Sequence, residues 1–159
     1  GGTAEAEPTG EPDLTRTFKT APNQALLYRL CGDRNPLHSD PTFARRAGFD
    51  RPILHGLCTW GIAARELWAA VGPARRLAAF GGRFRAPVWP GDTLVIRAWW
   101  VDQGQLRYVV SVGDRVVVDR GHARFVATEP DTSATIDPSA SGEPGRSVPS
   151  VPATPTVGP

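Results

Sequence analysis

A chain of 159 residues has room for one ordinary domain and hardly for two. Apolar residues make up 40% of it, enough for a core, and a net charge of +2, from 17 Arg and a single Lys against 16 acids, gives no electrostatic case for nucleic acid or an anionic membrane surface. No apolar run reaches the length of a membrane span, no charged-then-apolar leader opens the sequence, and two isolated cysteines, Cys31 and Cys58, suit a reduced, cytoplasmic protein.

Residues 1–13 are small, acidic and rich in Pro and Gly, which predicts a disordered leader. There is no Met, so the sequence opens either at a trimmed start or within a longer chain. Every aromatic residue falls between Phe18 and Phe125, so one folded unit is expected over 14–128. From Glu129 to the end, Ser, Thr, Pro, Gly and Ala predominate, and a disordered tail is expected over 129–159.

Within the folded unit, Leu14 to Lys19 alternates as a strand does. Thr20-Ala21-Pro22 reads as a capped helix start, and Ala25, Leu26, Leu27 and Leu30 give that short helix an apolar stripe ending at Gly32. Asp40-Pro41 opens a second short helix that stops at Gly48, with Arg45 and Arg46 on a solvated face. The segment from Gly56 to Val71 repeats Leu57, Trp60, Ala64, Leu67, Trp68 and Val71 at helical spacing, predicting a long helix apolar nearly all round and therefore buried. Beyond Gly72-Pro73 the period becomes two. Strands are expected over 77–86, 93–101, 105–112 and 115–127, forming a meander with a rigid connection at Pro87–Asp92. This order predicts an α+β fold, an antiparallel sheet wrapped around one central helix.

Two stretches carry chemistry. Tyr28-Arg29-Leu30-Cys31-Gly32-Asp33-Arg34-Asn35-Pro36-Leu37-His38 sets a carboxylate and an imidazole five residues apart, in a loop pinned by Gly32 and Pro36 between two helices. Pro52-Ile53-Leu54-His55-Gly56-Leu57-Cys58 leads into the long helix, whose free N–H groups can face the same site. Out of context these residues have bland readings. Gly32 and Pro36 form turns in any loop, and Asp33 and His38 would be a surface acid and a solvated imidazole. His55 reads as structural, a cap or a pocket wall, and His122 as solvent-facing. Two distant Cys and three scattered His have no metal-ligand spacing, so no metal site is expected.

The run Tyr28–His38, continued to Ala44, resembles the signature of the MaoC-like enoyl-CoA hydratase 2 family. The resemblance extends through Arg51–Thr59 and Phe84–Asp92 and covers most of 14–127. It is greatest to the catalytic half of the two-repeat peroxisomal multifunctional type, of which this sequence holds one repeat. It implies a single hot-dog domain with an overhang carrying the catalytic loop. The implied reaction is reversible syn hydration of a trans-2-enoyl thioester to an (R)-3-hydroxyacyl thioester, with no cofactor. Such chemistry needs an activated water, a proton for C2 and stabilisation of the developing enolate. Asp33 and His38 would hold the water. The Gly56 N–H would receive the thioester oxygen, and Asn35 would fix the loop or add a hydrogen bond near that oxygen. Arg34, Arg83 and Arg85 are candidates for the phosphates of coenzyme A or of an acyl-carrier-protein arm. A homodimer is the default partner arrangement for a lone hot-dog domain. An Arg-rich, Lys-poor chain suits a high-GC bacterium and fatty-acid or natural-product metabolism.

Two rival functions share this fold: a non-catalytic hot-dog partner subunit, and a hot-dog thioesterase. The first would lack the Asp33/His38 pair. The second needs a carboxylate on the central helix or nearby, and Glu66, the only acid on that helix, lies late in it.

Overall fold

The computed structural model describes residues 10–128; the expected tail over 129–159 and the leader up to residue 9 lie outside the described residues. Five strands form one antiparallel sheet: β1 (Leu14–Lys19), β2 (Arg75–Phe84), β3 (Thr93–Trp100), β4 (Gln105–Val112) and β5 (Arg115–Ala127). Three helices precede β2: α1 (Gln24–Tyr28), α2 (Pro41–Arg46) and the long α3 (Gly56–Val71). The sheet order is β1-β3-β4-β5-β2.

Period-two alternation turns Leu94, Ile96 and Ala98 of β3, and Leu106, Tyr108 and Val110 of β4, to one buried face. In α3, Cys58 and Ile62, and Ala63 and Leu67, recur at four-residue spacing and join the same core. Leu67 is wholly buried, which contributes roughly 2 kcal/mol of hydrophobic stabilisation. This is the hot-dog arrangement, with α3 as the filling.

The expected four-strand meander holds only for β3, β4 and β5. β2 pairs with β5 at one edge, while β3 pairs with β1 at the other. The linking segment 87–92 contains two prolines and is not a hairpin turn, and it carries the chain from edge strand β2 to β3, which lies next to the opposite edge strand β1. Val88 within it is buried and its carbonyl accepts the Leu54 N–H at 2.7 Å, tying the crossing to the segment before α3.

Three local expectations differ from the structure. Thr20 does not cap α1, whose N-cap is Asn23. Its buried hydroxyl donates to the Asp92 carbonyl at 2.8 Å and accepts the Gly91 N–H at 2.9 Å, joining the end of β1 to the crossing segment. The stripe Leu26, Leu27 and Leu30 is exposed, and only Ala25 of α1 is buried. Likewise α3 is not buried all round: Leu57 and Trp68 are exposed. One glycine in β5 is obligatory. A Cβ on Gly121 would lie 2.3 Å from the Tyr108 carbonyl oxygen, and the preceding Arg120 has φ 49°, so the strand bulges here over the Tyr108 ring.

Candidate active site

Local chemistry shapes the Asp33 loop. Gly32, with φ 107°, ends the short turn Arg29–Cys31 in a left-handed conformation that suits glycine. Asp33 then accepts the Asn35 N–H on Oδ1 at 3.1 Å, and Asn35 Oδ1 accepts the Leu37 N–H at 3.0 Å. These successive side-chain turns fold Pro36–His38 into a single 3-10 turn with Asn35 as its cap. Downstream, Asp40 caps α2 through the Thr42 and Phe43 N–H groups, as its Asp-Pro sequence predicts.

His38 is aimed by its backbone neighbour. Its Nδ1 lies 2.8 Å from the Ile53 carbonyl oxygen. A carbonyl only accepts, so Nδ1 carries the proton and Nε2 of the neutral ring is left as an acceptor. The His38 ring stacks on His55 with centroids 3.8 Å apart and planes at 28°. His55 is 2% exposed and is the residue before α3; its Nε2 donates to the Asp33 carbonyl at 3.3 Å and lies 4.0 Å from Asp33 Oδ2. Tyr28 also packs against the His55 ring, with centroids 4.8 Å apart. Burial, and then the His38 ring, push the His55 pKa below the ordinary imidazole value, so this ring is neutral near pH 7. His55 is thus the post between the two candidate groups, a positioning role.

Donor atoms of Asp33, His38 and His55 all lie within 4.8 Å of one another. Two groups bridged by one water, at about 2.8 Å to each, stand roughly 4.6 Å apart, so this spacing suits a shared water. Two of the four imidazole nitrogens are already engaged, His38 Nδ1 by the Ile53 carbonyl and His55 Nε2 by the Asp33 carbonyl.

His38 and Gly56 line the same cleft, of about 350 Å³, whose wall also includes Phe49, Ile53, Thr59 and Phe84. Gly56 begins α3, and no side chain caps that helix start. Its first N–H groups have no intrahelical acceptor and carry the positive end of the helix dipole. The Phe84 ring covers Gly56 so closely that a Cβ there would stand 3.1 Å from it. Asp33 and Asn35 are not among the residues lining that cleft; they lie on the loop, whose residues 31–36 are all exposed. Arg85 lines the cleft, and Arg85 and Arg83 both pair with the buried Asp119, at 3.3 and 2.7 Å. Arg34 lies on the exposed loop.

A family model described as a MaoC like domain matches residues 3–121. The chain belongs to the MaoC-like family. Among curated MaoC-like relatives, "3-hydroxyacyl-thioester dehydratase Y" of Mycobacterium tuberculosis is 45% identical over 129 residues, covering 76% of this chain and 44% of that protein. "Peroxisomal multifunctional enzyme type 2" of Mus musculus is 50% identical over 98 residues, 60% of this chain and 13% of that one. A MaoC-like dehydratase structure from Phytophthora capsici superposes with a TM-score of 0.70 at 38% identity, over 80% of this chain and 48% of that one. The chain therefore spans less than half the length of each of these relatives.

Sequence reasoning gave His55 only a general structural role, and passed over Tyr28, Thr59 and Phe84 as site residues. The one available signal for Thr59 was a hydroxyl inside the apolar run Leu57–Ala64, where polar side chains are uncommon. Glu66 is buried and held by Arg16 at 3.4 Å and by Arg65. That pairing joins α3 to β1 and engages the one acid of the central helix.

Proposed function

We propose that this domain catalyses the reversible syn hydration of a trans-2-enoyl thioester to an (R)-3-hydroxyacyl thioester, with Asp33 and His38 activating one water. The observation that carries this reading is the convergence of the two groups within 4.8 Å beside a cleft that also holds the start of α3. In the hydration direction, His38 Nε2 and the Asp33 carboxylate accept hydrogen bonds from the water. Its oxygen adds to C3, and the proton lost is returned to C2 on the same face. The negative charge that builds on the thioester oxygen meets the Gly56 N–H at the positive helix end, a donor worth on the order of 3 kcal/mol in the transition state. Gly32, Asn35 and Pro36 hold the loop geometry, with Asn35 Oδ1 engaged by the Leu37 N–H. No cofactor enters any step.

The thioester is carried by coenzyme A or an acyl-carrier protein, with Arg85 as the cationic group nearest the cleft. The names of the relatives, an acyl-thioester dehydratase among them, favour this substrate class. The partner is a second copy or a second hot-dog repeat, and Cys31 and Cys58, both free, suit a reducing cytoplasm. Among the described residues no helix is long and apolar enough to cross a membrane. A thioesterase reading is weaker because Glu66 is engaged by Arg16 and Arg65.

The test is a panel of short, long and branched trans-2-enoyl thioesters, on coenzyme A and on carrier protein, assayed for hydration with chiral analysis of the product. Hydration giving the (R)-alcohol supports the reading. Hydrolysis of the thioester, or no turnover on either carrier, overturns it.

A further inference from the structure

Thr59 stands apart among the residues lining the cleft. It is 2% exposed, its Oγ1 has no hydrogen-bond partner among the described residues, and it lies one turn into α3 from Gly56, on the wall of the same cleft. A helical threonine ordinarily satisfies its hydroxyl on the carbonyl four residues back. Here that carbonyl, of His55, already accepts the Cys58 and Thr59 N–H groups at 3.1 and 3.3 Å. The buried neighbours on α3 are Cys58, Ile62 and Ala63, so an apolar residue would satisfy packing at position 59 and leave no polar atom unpaired.

Helical side chains lean toward the helix N-terminus and cover the turn before their own Cα. The Thr59 side chain therefore leans toward the first turn, whose Gly56 lines the same cleft. We infer that Thr59 Oγ1 is a second donor to the thioester oxygen, completing with the Gly56 N–H a two-donor site for the enolate charge. The inference rests on the hydratase reading above. The hydroxyl donates and no bond to it forms or breaks; it matters most when charge has built on the oxygen, so it acts on turnover more than on substrate affinity.

The experiment compares the full chain with Thr59→Val and Thr59→Ala, which lack the hydroxyl, the second in case the branched methyl does not fit, and with Thr59→Ser, which keeps it. Rates on trans-2-enoyl-CoA thioesters are read beside thermal midpoints. For a lost oxyanion donor, kcat falls about tenfold to hundredfold in Thr59→Val and Thr59→Ala with KM nearly unchanged, while Thr59→Ser stays within about threefold of wild type. Removing an unpaired buried hydroxyl leaves the Thr59→Val midpoint equal to or above that of wild type, which a merely structural role would not do. A hydroxyl-free variant with wild-type kcat overturns the assignment, as does a Thr59→Ser variant as slow as the hydroxyl-free ones. Wild type without turnover on any enoyl thioester overturns the hydratase reading and this inference with it. Turnover by wild type with no loss in the variants overturns Thr59 alone.

Discussion

At the scale of single residues, the site depends on what each group already bonds. The Ile53 carbonyl fixes the His38 tautomer and leaves Nε2 as an acceptor, while buried, neutral His55 stacks on the His38 ring. Because His55 has its pKa lowered on folding, the unfolded chain binds the extra proton first as pH falls. The stability tied to this ring is fully present above about pH 6.5 and declines as pH drops through that value toward the lower folded pKa. Denaturant titrations at pH 7.5 and 5.5 should show that loss in wild type and a smaller one in His55→Phe. An equal loss in both would remove His55 as the cause. Gly56→Ala should lower kcat by about tenfold or more, since the added methyl meets the Phe84 ring at 3.1 Å beside the oxyanion N–H. Steady-state kinetics at saturating substrate would check it. The cysteines differ in the same local sense: burial pushes the Cys58 thiol up to about 11, whereas Cys31 is exposed. Native alkylation followed by mass spectrometry should label Cys31 and spare Cys58.

Elements were legible where one physical rule governed them. The bounds of α3 followed from its periodicity and the Gly72-Pro73 stop, and α2 from the Asp40-Pro41 start. Strand pairing was less legible, because alternation marks a strand without naming its neighbour; β2 pairs with β5 only because the proline-rich connection crosses the sheet. The exposure of Leu26, Leu27, Leu57 and Trp68 was equally hidden, since periodicity ranks faces by hydrophobicity and says nothing about what covers them. In the site, the Asp33 and His38 positions were visible as a motif. The His55 stack and the unpaired Thr59 hydroxyl arise from contacts between α3 and the loop, which sequence spacing does not contain. At this scale, Leu67→Ala should cost about 2–5 kcal/mol by opening a cavity between α3 and the sheet, measured from urea midpoints. Asp119→Asn should cost about 2 kcal/mol by removing the buried partner of Arg83 and Arg85.

For the whole molecule, the Asp33 loop lies exposed over residues 31–36, and Leu57 and Trp68 of α3 and Phe84 of β2 are exposed apolar side chains. A covering partner, a second copy or a second repeat, accounts for apolar surface of this kind. Sedimentation of the purified chain should give a dimer, and a monomer would point to a partner from another chain. The central claim, that Asp33 and His38 act as one unit on one water, is tested most directly by a double-mutant cycle on kcat/KM. Asp33→Asn and His38→Ala should each lower it by about 10²–10⁴-fold, and the double variant should be little worse than either single one. Losses that multiply in the double variant, or single variants at wild-type rates, would contradict the shared water.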